Sequence, residues 1–572
     1  MTNISFTNIK NNVLKKQIPD ADRRNLNVVP STTYEALKNI AQRSDHVNTS
    51  FLQNLVTTFK KALMPLFFAG YLPGYTVDMN PEANQAQVQT IIADADLDKL
   101  DPNSSYRKNF AVNAKKVQNF LKPSYQAATE RPEYYDWLDF SIGGVVRTNV
   151  AEAESMAQNV KQEGFKNAVV MGMGGSSMCG KLINSFFDTK EDFGSIKMLD
   201  NMDPKTINDT LDQANYQKGK TAFVFISKSG GTFEVAHAIQ TVLDRLKQDD
   251  PDNYLKSFAK QAVFITEAKE YKTHTLKGVS EGKNSGTLNQ LIDELKAKTG
   301  IEPKVIRHPA RIGGRFSLFS AVGMFIASLK GLNTQEILTG AQDALKEFFD
   351  AKDPTKSSAY RYALIDTLAA LQTHKAFAAR YVMPYTDRLN AVPEFMGQLA
   401  GESNNKNGMR SLNQISGRGP TAHHSDVEAL CRNDDRRLLF EQILVNDIGK
   451  DDHVHDRHNL DSLREYNLKS MHQENMTKLA LPFARHLQTK KGNPVISTVL
   501  ESLNERNFGY LMMRNMLATV IQSGIQIDND KTVAQNLDQA IRQAEVEDFK
   551  KAKKADLQEV QDGALKGLEL AV

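Results

Sequence analysis

The sequence predicts an α/β protein: two doubly wound parallel-sheet lobes, with a helical N-terminal region before them and a C-terminal helical arm after. Three observations predict it. Short apolar runs alternate with helical stretches across residues 167–268; Gly/Ser-rich turns follow two of those runs; and a second set of apolar helix and extended run recurs downstream. Runs of this length without polar alternation are what strands covered on both faces look like.

Taken in order, residues 1–125 read as helices separated by polar loops, with no strand series. The runs 168–171, 196–199, 222–226 and 262–265 are the strands of a first lobe, and in such sheets ligands sit at the carboxyl ends of strands. Residues 269–299 are polar and charged and read as a surface excursion with one helix. Residues 317–329 read as a buried helix and 379–385 as an extended run, the start of a second lobe; 508–523 read as a helix and 524–528 as strand-like. From residue 531 charge lies on one helical face and Leu, Val, Ala and Phe on the other, so this arm packs on the body or a second subunit. The expected domains are therefore 1–125, 126–300, 301–527 and the arm 528–572.

Composition narrows the function classes. The 572 residues suffice for several domains with a large buried interior. Lys and Arg number 71 against 68 Asp and Glu, so no global basic field points to nucleic acid or an anionic membrane, and a charged ligand must be met locally. Two cysteines, Cys179 and Cys431, exclude a disulfide framework and fit a reducing compartment. The polar, basic start lacks the apolar core of a signal peptide, and no apolar run has membrane-spanning length. A soluble cytoplasmic protein is expected.

The two turns carry the first chemistry. Gly174-Gly175-Ser176-Ser177 and Ser227-Lys228-Ser229-Gly230-Gly231-Thr232 each follow an apolar run and precede a helix. Small residues there let backbone N–H groups close on an anion at the positive helix end, while hydroxyls add donors. Either turn alone also fits a tight connection without a ligand; the pair suggests a pocket for one phosphate on a small molecule. Two nucleotide readings compete. Gly175 to Lys181 has phosphate-loop spacing, but Leu182 stands where a hydroxyl would meet magnesium. Gly172-x-Gly174 opens a dinucleotide fingerprint with Asp200 downstream, yet Ser177 replaces its third glycine.

Three further segments bring reactive groups. Arg311-Ile-Gly-Gly-Arg315-Phe-Ser317 places a guanidinium before a buried helix, where it can stabilise a developing oxyanion or simply sit on the surface. Gln398-Leu-Ala-Gly-Glu402-Ser-Asn404 sets a carboxylate among amides and hydroxyls; partial burial would make it a general base for a proton α to a carbonyl. His423-His424-Ser425 supplies imidazole in a loop, suited to a proton shuttle. His453, His455 and His458 among Asp451, Asp452 and Asp456 have metal-ligand chemistry, but such runs are usually solvated loops, and no metal is expected.

In this order, over roughly residues 169–527, these segments and the stretch Pro384-Tyr-Thr-Asp-Arg388 through Asn404 resemble the glucose-6-phosphate isomerase (phosphoglucose isomerase) family of the sugar-isomerase-domain (SIS) superfamily. The resemblance implies two SIS-type lobes and interconversion of glucose 6-phosphate and fructose 6-phosphate, a step of glycolysis and gluconeogenesis. It implies a phosphate site at Ser227, Lys228, Ser229 and Thr232, with Gly175 and Ser176 closing on the sugar. Glu402 would move the proton through a cis-enediol, Arg315 would stabilise the enediolate, Gln398 would line the site, and His424 would open the ring. It further implies a homodimer with that histidine contributed across it, a sugar-phosphate substrate, and no cofactor, nucleic acid or membrane partner. One departure stands out: the position of the family's C-terminal lysine falls on Leu537, with Lys531 a turn earlier as a substitute. Altered sugar-phosphate specificity and a non-catalytic sugar-phosphate sensor are the alternative readings; the base at Glu402 favours catalysis.

Overall fold

The computed structural model describes residues 86–526 apart from 129–134, 190–192, 214–218, 276–277, 284–285, 373–375, 406–408, 433–436, 450–457, 459–461 and 463–465, together with Leu537. The expectations for residues 1–85, Lys531 and the arm 528–572 otherwise lie outside the described residues. Strand β1 (Val88–Ile92) comes first, followed by β2 (Asn167–Gly172), β3 (Ile196–Leu199), β4 (Thr221–Ile226) and β5 (Ala262–Thr266). A short antiparallel pair, β6 (Glu270–Thr275) and β7 (Gly278–Lys283), precedes β8 (Lys304–Arg307). The remaining strands are β9 (Phe377–Pro384), β10 (Gln414–Ser416), β11 (Arg437–Asp447) and β12 (Val495–Ser502).

The first sheet has the order β3-β2-β4-β5-β8 and is parallel throughout. Every residue of β4 and β5 is buried, which is why these strands read as unbroken apolar runs. The chain leaves β2 to one side for β3 and returns to pair β4 on the other, so strand order reverses between β2 and β4. That is the crevice where such sheets bind ligands, and Gly172 pairs with Ile226 across it. Both serine turns thus leave the same end of neighbouring strands.

The second sheet has the order β1-β12-β11-β9-β10, parallel except for β1. Its own reversal lies between β9 and β11, beside the helix Ala391–Ser403 that carries Gln398 and Glu402. The two parallel α/β sheets agree with the fold class read from the sequence.

Four details differ from the reading. A strand, β1, stands in the stretch read as helical; it is five residues long and pairs with β12 at the far end of the chain, so no local pattern marks it. The excursion after residue 269 holds the β6–β7 pair as well as the helix Thr287–Thr299. Strand β8 extends the first sheet beyond residue 300. The helix Glu505–Ile525 takes in the first two residues, 524 and 525, of the segment read as strand-like: all its residues from Asn507 to Ile525 are buried, and a helix buried all round has no polar face to mark its end. Among the described residues no helix is long and apolar enough to cross a membrane.

Candidate active site

The turn after β4 is drawn tight by its own groups. Ser227 N–H donates to Ile265 O (3.1 Å) and Gly230 N–H to Ser227 O (3.1 Å), with Gly230 at φ +69°. The Ser227 and Thr232 hydroxyls lie 2.6 Å apart, and Ser229 is exposed beside them. The helix Phe233–Asp249 starts directly after Thr232, so its positive end and these hydroxyls face one place. Lys228 does something the motif does not announce: its Nζ donates to the carbonyls of Ala310 (2.6 Å) and Ile312 (3.0 Å). Burial lowers its pKa, against the opposing pull of Glu267 and Asp136.

The segment that Lys228 braces continues into Arg315. Arg311 lies 3.6 Å from buried Asp136, and Phe316 stacks on Trp137 at 5.0 Å between ring centres, so the loop is fixed from below. From above it meets the first serine turn. A Cβ on Gly175 would stand 2.3 Å from the carbonyl carbon of Gly314 and 2.5 Å from Arg315 N, an approach only glycine permits. Ser176, half-buried, follows it at the start of the helix Gly175–Phe186. Ser177 turns inward and donates to Gly174 O (3.0 Å). Lys181 and Asp200, the residues the nucleotide readings relied on, are ion-paired with each other.

Arg315 is the centre of the arrangement. Its side chain is 2 % exposed; Nε donates to Ser403 Oγ (2.8 Å) and a terminal nitrogen to Glu402 Oε2 (3.3 Å). Burial lowers the guanidinium pKa and the Glu402 charge opposes that shift. Gln398 Nε2 donates to the other carboxylate oxygen of Glu402 at 3.0 Å, one turn away on the same helix face. The same Nε2 lies 3.1 Å from where a Cβ on Gly174 would stand. Gly174, Gly175, Arg315, Gln398 and Glu402 therefore adjoin one another, and Lys228 links the 227–232 turn to the same loop. Glu402 is 43 % exposed, open to an entering ligand.

His424 is not brought to this carboxylate. It ends the short helix Thr421–His424, is exposed, and is not among the polar partners of Glu402. His423 beside it is half-buried and meets Tyr385 Oη at 2.6 Å. Of the histidine–aspartate run only exposed His458 is described, and no cluster able to hold a metal occurs among the described residues. Leu537 is buried, within 3.3 Å of where a Cβ on Gly524 would stand.

The reading from sequence passed over two polar anchors. Ser403 holds the arginine, and Asn404 fastens the end of its helix to the helix Glu505–Ile525 through Gln522 (2.6 Å) and Ser523 (2.5 Å). Their position immediately after Glu402 was the available signal.

Fold and site together define an α/β protein with two largely parallel sheets, in which the first serine turn meets an arginine–glutamate pair, and comparison with known proteins shows what it is similar to. The phosphoglucose isomerase family model matches residues 154–424. The chain is 31 % identical over 273 residues to glucose-6-phosphate isomerase of Campylobacter jejuni subsp. jejuni serotype O:2, covering 47 % of this chain and 56 % of that one. It is 28 % identical over 413 residues to glucose-6-phosphate isomerase of Onion yellows phytoplasma, covering 71 % and 87 %. In fold it is similar to a glucose-6-phosphate isomerase from Chlamydia trachomatis (TM-score 0.60, 16 % identity, 82 % of this chain and 90 % of that one). A hypothetical protein from Thermus thermophilus is similar to the same degree (TM-score 0.60, 20 % identity, 80 % and 98 %). Over residues 154–424 the chain is thus similar to the phosphoglucose isomerase family.

Proposed function

We propose that this protein is an enzyme that interconverts glucose 6-phosphate and fructose 6-phosphate. The observation that carries the reading is the carboxylate of Glu402, held between Arg315 and Gln398 against the first serine turn. The phosphate sits on the amides and hydroxyls of the turn Ser227 to Thr232, and the sugar carbons reach toward Glu402. Glu402 removes the C2 proton of the open-chain aldose; that electron pair forms the C1=C2 bond and the carbonyl electrons pass to O1, where Arg315 meets the negative charge. The C2 hydroxyl proton passes to O1, the C2–O electrons form the C2 carbonyl, and the C1=C2 pair takes the proton back from Glu402 at C1, giving the ketose. Glu402 serves as base and, once protonated, as acid at carbon, and Arg315 is the cation beside it.

His424 is the ring-opening group in this reading, delivered to the site of a second copy in a homodimer. Its exposure and its separation from the polar partners of Glu402 support this. The two free cysteines, one of them fully buried, fit a cytoplasmic enzyme. A coupled assay with fructose 6-phosphate, run on wild type and Glu402→Gln, tests the proposal. The variant is expected to lose about 10²- to 10⁴-fold in kcat, the range of general-base catalysis. Wild type that binds fructose 6-phosphate but turns over no more than the variant would make the protein a sensor. Activity on mannose 6-phosphate would widen the substrate range.

A further inference from the structure

The segment before His424 lies flat on two tyrosines of the second sheet. Gly417 N–H donates to Val382 O and Gly419 N–H to Pro384 O, each at 2.9 Å, so residues 417–419 run along the end of β9. A Cβ on Gly417 would stand 2.2 Å from Tyr381 Oη, and one on Gly419 2.6 Å from the Tyr385 ring. Both phenols, nearly fully buried, then reach past those glycines to grip the turn beyond. Tyr385 Oη meets His423 Nε2 at 2.6 Å, and Tyr381 Oη donates to Asp426 Oδ2. The gripped residues bracket His424 on either side.

The clamp is itself packed. His423 stands edge-on to Phe483 at 5.1 Å, Phe483 edge-on to Phe440 at 5.2 Å, and Phe440 stacks on Tyr381 at 6.3 Å, closing a ring of aromatic groups back to the sheet. Burial lowers the His423 pKa, as does its neighbour His424, and burial raises that of Tyr385. A neutral imidazole accepting from a protonated phenol is the state this favours. His424, one residue on, is left exposed at the end of the turn.

We propose that Tyr385 and His423 act as a positioning pair for ring opening, fixing the turn 421–424 so that His424 is presented outward in one orientation. This rests on the isomerase reading and on the role given there to His424. Neither residue touches the substrate. If they work through the turn, removing either end of their hydrogen bond should impair ring opening and leave ligand binding intact.

The experiment compares wild type with Tyr385→Phe, His423→Leu, His423→Gln and the Phe–Leu double variant in the full-length protein. Five quantities are read: kcat and KM from fructose 6-phosphate, the catalysed anomerisation of glucose 6-phosphate by exchange NMR, the Ki of glucitol 6-phosphate, and Tm. Glucitol 6-phosphate has no ring to open. Tyr385→Phe and His423→Leu should each lower kcat and anomerisation by roughly five- to tenfold, the worth of one neutral hydrogen bond. The double variant should fall no further, as for partners in one interaction. His423→Gln, whose amide reaches the same phenol, should stay within about twofold of wild type, as should KM and the glucitol 6-phosphate Ki in all variants. Additive losses, a Ki that rises in step with the loss of kcat, or single variants as active as wild type would each overturn the pair while leaving the isomerase reading intact. Activity that falls only where Tm falls, with no rescue by His423→Gln, would reduce the pair to a structural role. A wild-type protein without either activity would fail the isomerase reading first.

Discussion

Replacing Arg315 with methionine separates its chemistry from its contribution to the fold. Among the contacts that go are the bond to Ser403 Oγ, the pairing with Glu402 and the approach of the guanidinium to the Phe316 ring at 5.3 Å. For stability the effects oppose one another. The Ser403 hydroxyl, 1 % exposed, loses its donor at a cost of about 1–3 kcal/mol. Removing a desolvated cation whose partner carboxylate is 43 % exposed, and so able to recover water, returns energy of the same order. The expected Tm change is a few degrees at most. Catalysis has no such offset, because negative charge develops on the substrate oxygen only in the transition state and, among the described residues, no second cation pairs with Glu402. Loss of a comparable preorganised donor costs about 10²- to 10³-fold in kcat, or ~3–4 kcal/mol. Arg315→Lys keeps the charge but reaches only one of the two acceptors, and should fall between. The coupled assay from fructose 6-phosphate, with Tm measured in parallel, decides it. An Arg315→Met protein that folds normally and keeps kcat within tenfold of wild type would refute the role given to this arginine.

Lys228→Met should lower kcat about 10- to 100-fold and leave the Ki of inorganic phosphate within about threefold, since the ammonium is spent on the carbonyls of Ala310 and Ile312; a Ki that rises with KM would make Lys228 a direct phosphate ligand. Gly175→Ala drives a methyl into the backbone of Gly314 and Arg315 and should cost at least tenfold in kcat with roughly 1–3 kcal/mol of stability; wild-type activity would show that the first serine turn and the arginine loop do not meet. His308 is buried and its pKa is pushed down to about 3, first by burial and then by the Lys228 charge. Its folded-state pKa lies below the unfolded one, so its stabilising effect is complete above about pH 6.5 and is lost as pH falls toward 3, by at most ~1.4 kcal/mol per unit. His308→Gln should therefore flatten the fall of Tm between about pH 6.5 and 4.5, and parallel curves for the two proteins would contradict a neutral buried imidazole.

Sequence was most informative where an element's surroundings repeat along the chain. Strands β2, β4 and β5 lie inside a parallel sheet with helices on both faces, so each appears as a short apolar run ended by a turn, and each was legible. Strand β1 gains its place from β12, far along the chain, and the helix Glu505–Ile525 gains its length from being buried on every side; neither cause leaves a local pattern. The same division holds in the site. Gln398 and Glu402 share a helix face because they are four residues apart, and that could be read directly. The target of Lys228 could not, because it depends on which loop the sheet order brings beside β4.

That dependence gives the loop from residue 310 to 315 its place in the mechanism. It leaves β8 at the edge of the first sheet, is held at one end by Lys228 from the turn after β4, and delivers Arg315 at the other end to Ser403 and Glu402 beside the second sheet. In the function proposed above, a phosphate gripped by the 227–232 turn would stabilise the very turn whose lysine sets the arginine loop. Under that proposal, binding energy from the unreactive end of the substrate would hold Arg315 in register with Glu402, the use of remote contacts that raises kcat instead of merely lowering KM. The serine turn, the arginine loop and the glutamate helix come from three separate stretches of sequence, and it is the hydrogen bonds of Lys228 and Arg315 to loop and helix that make them one site.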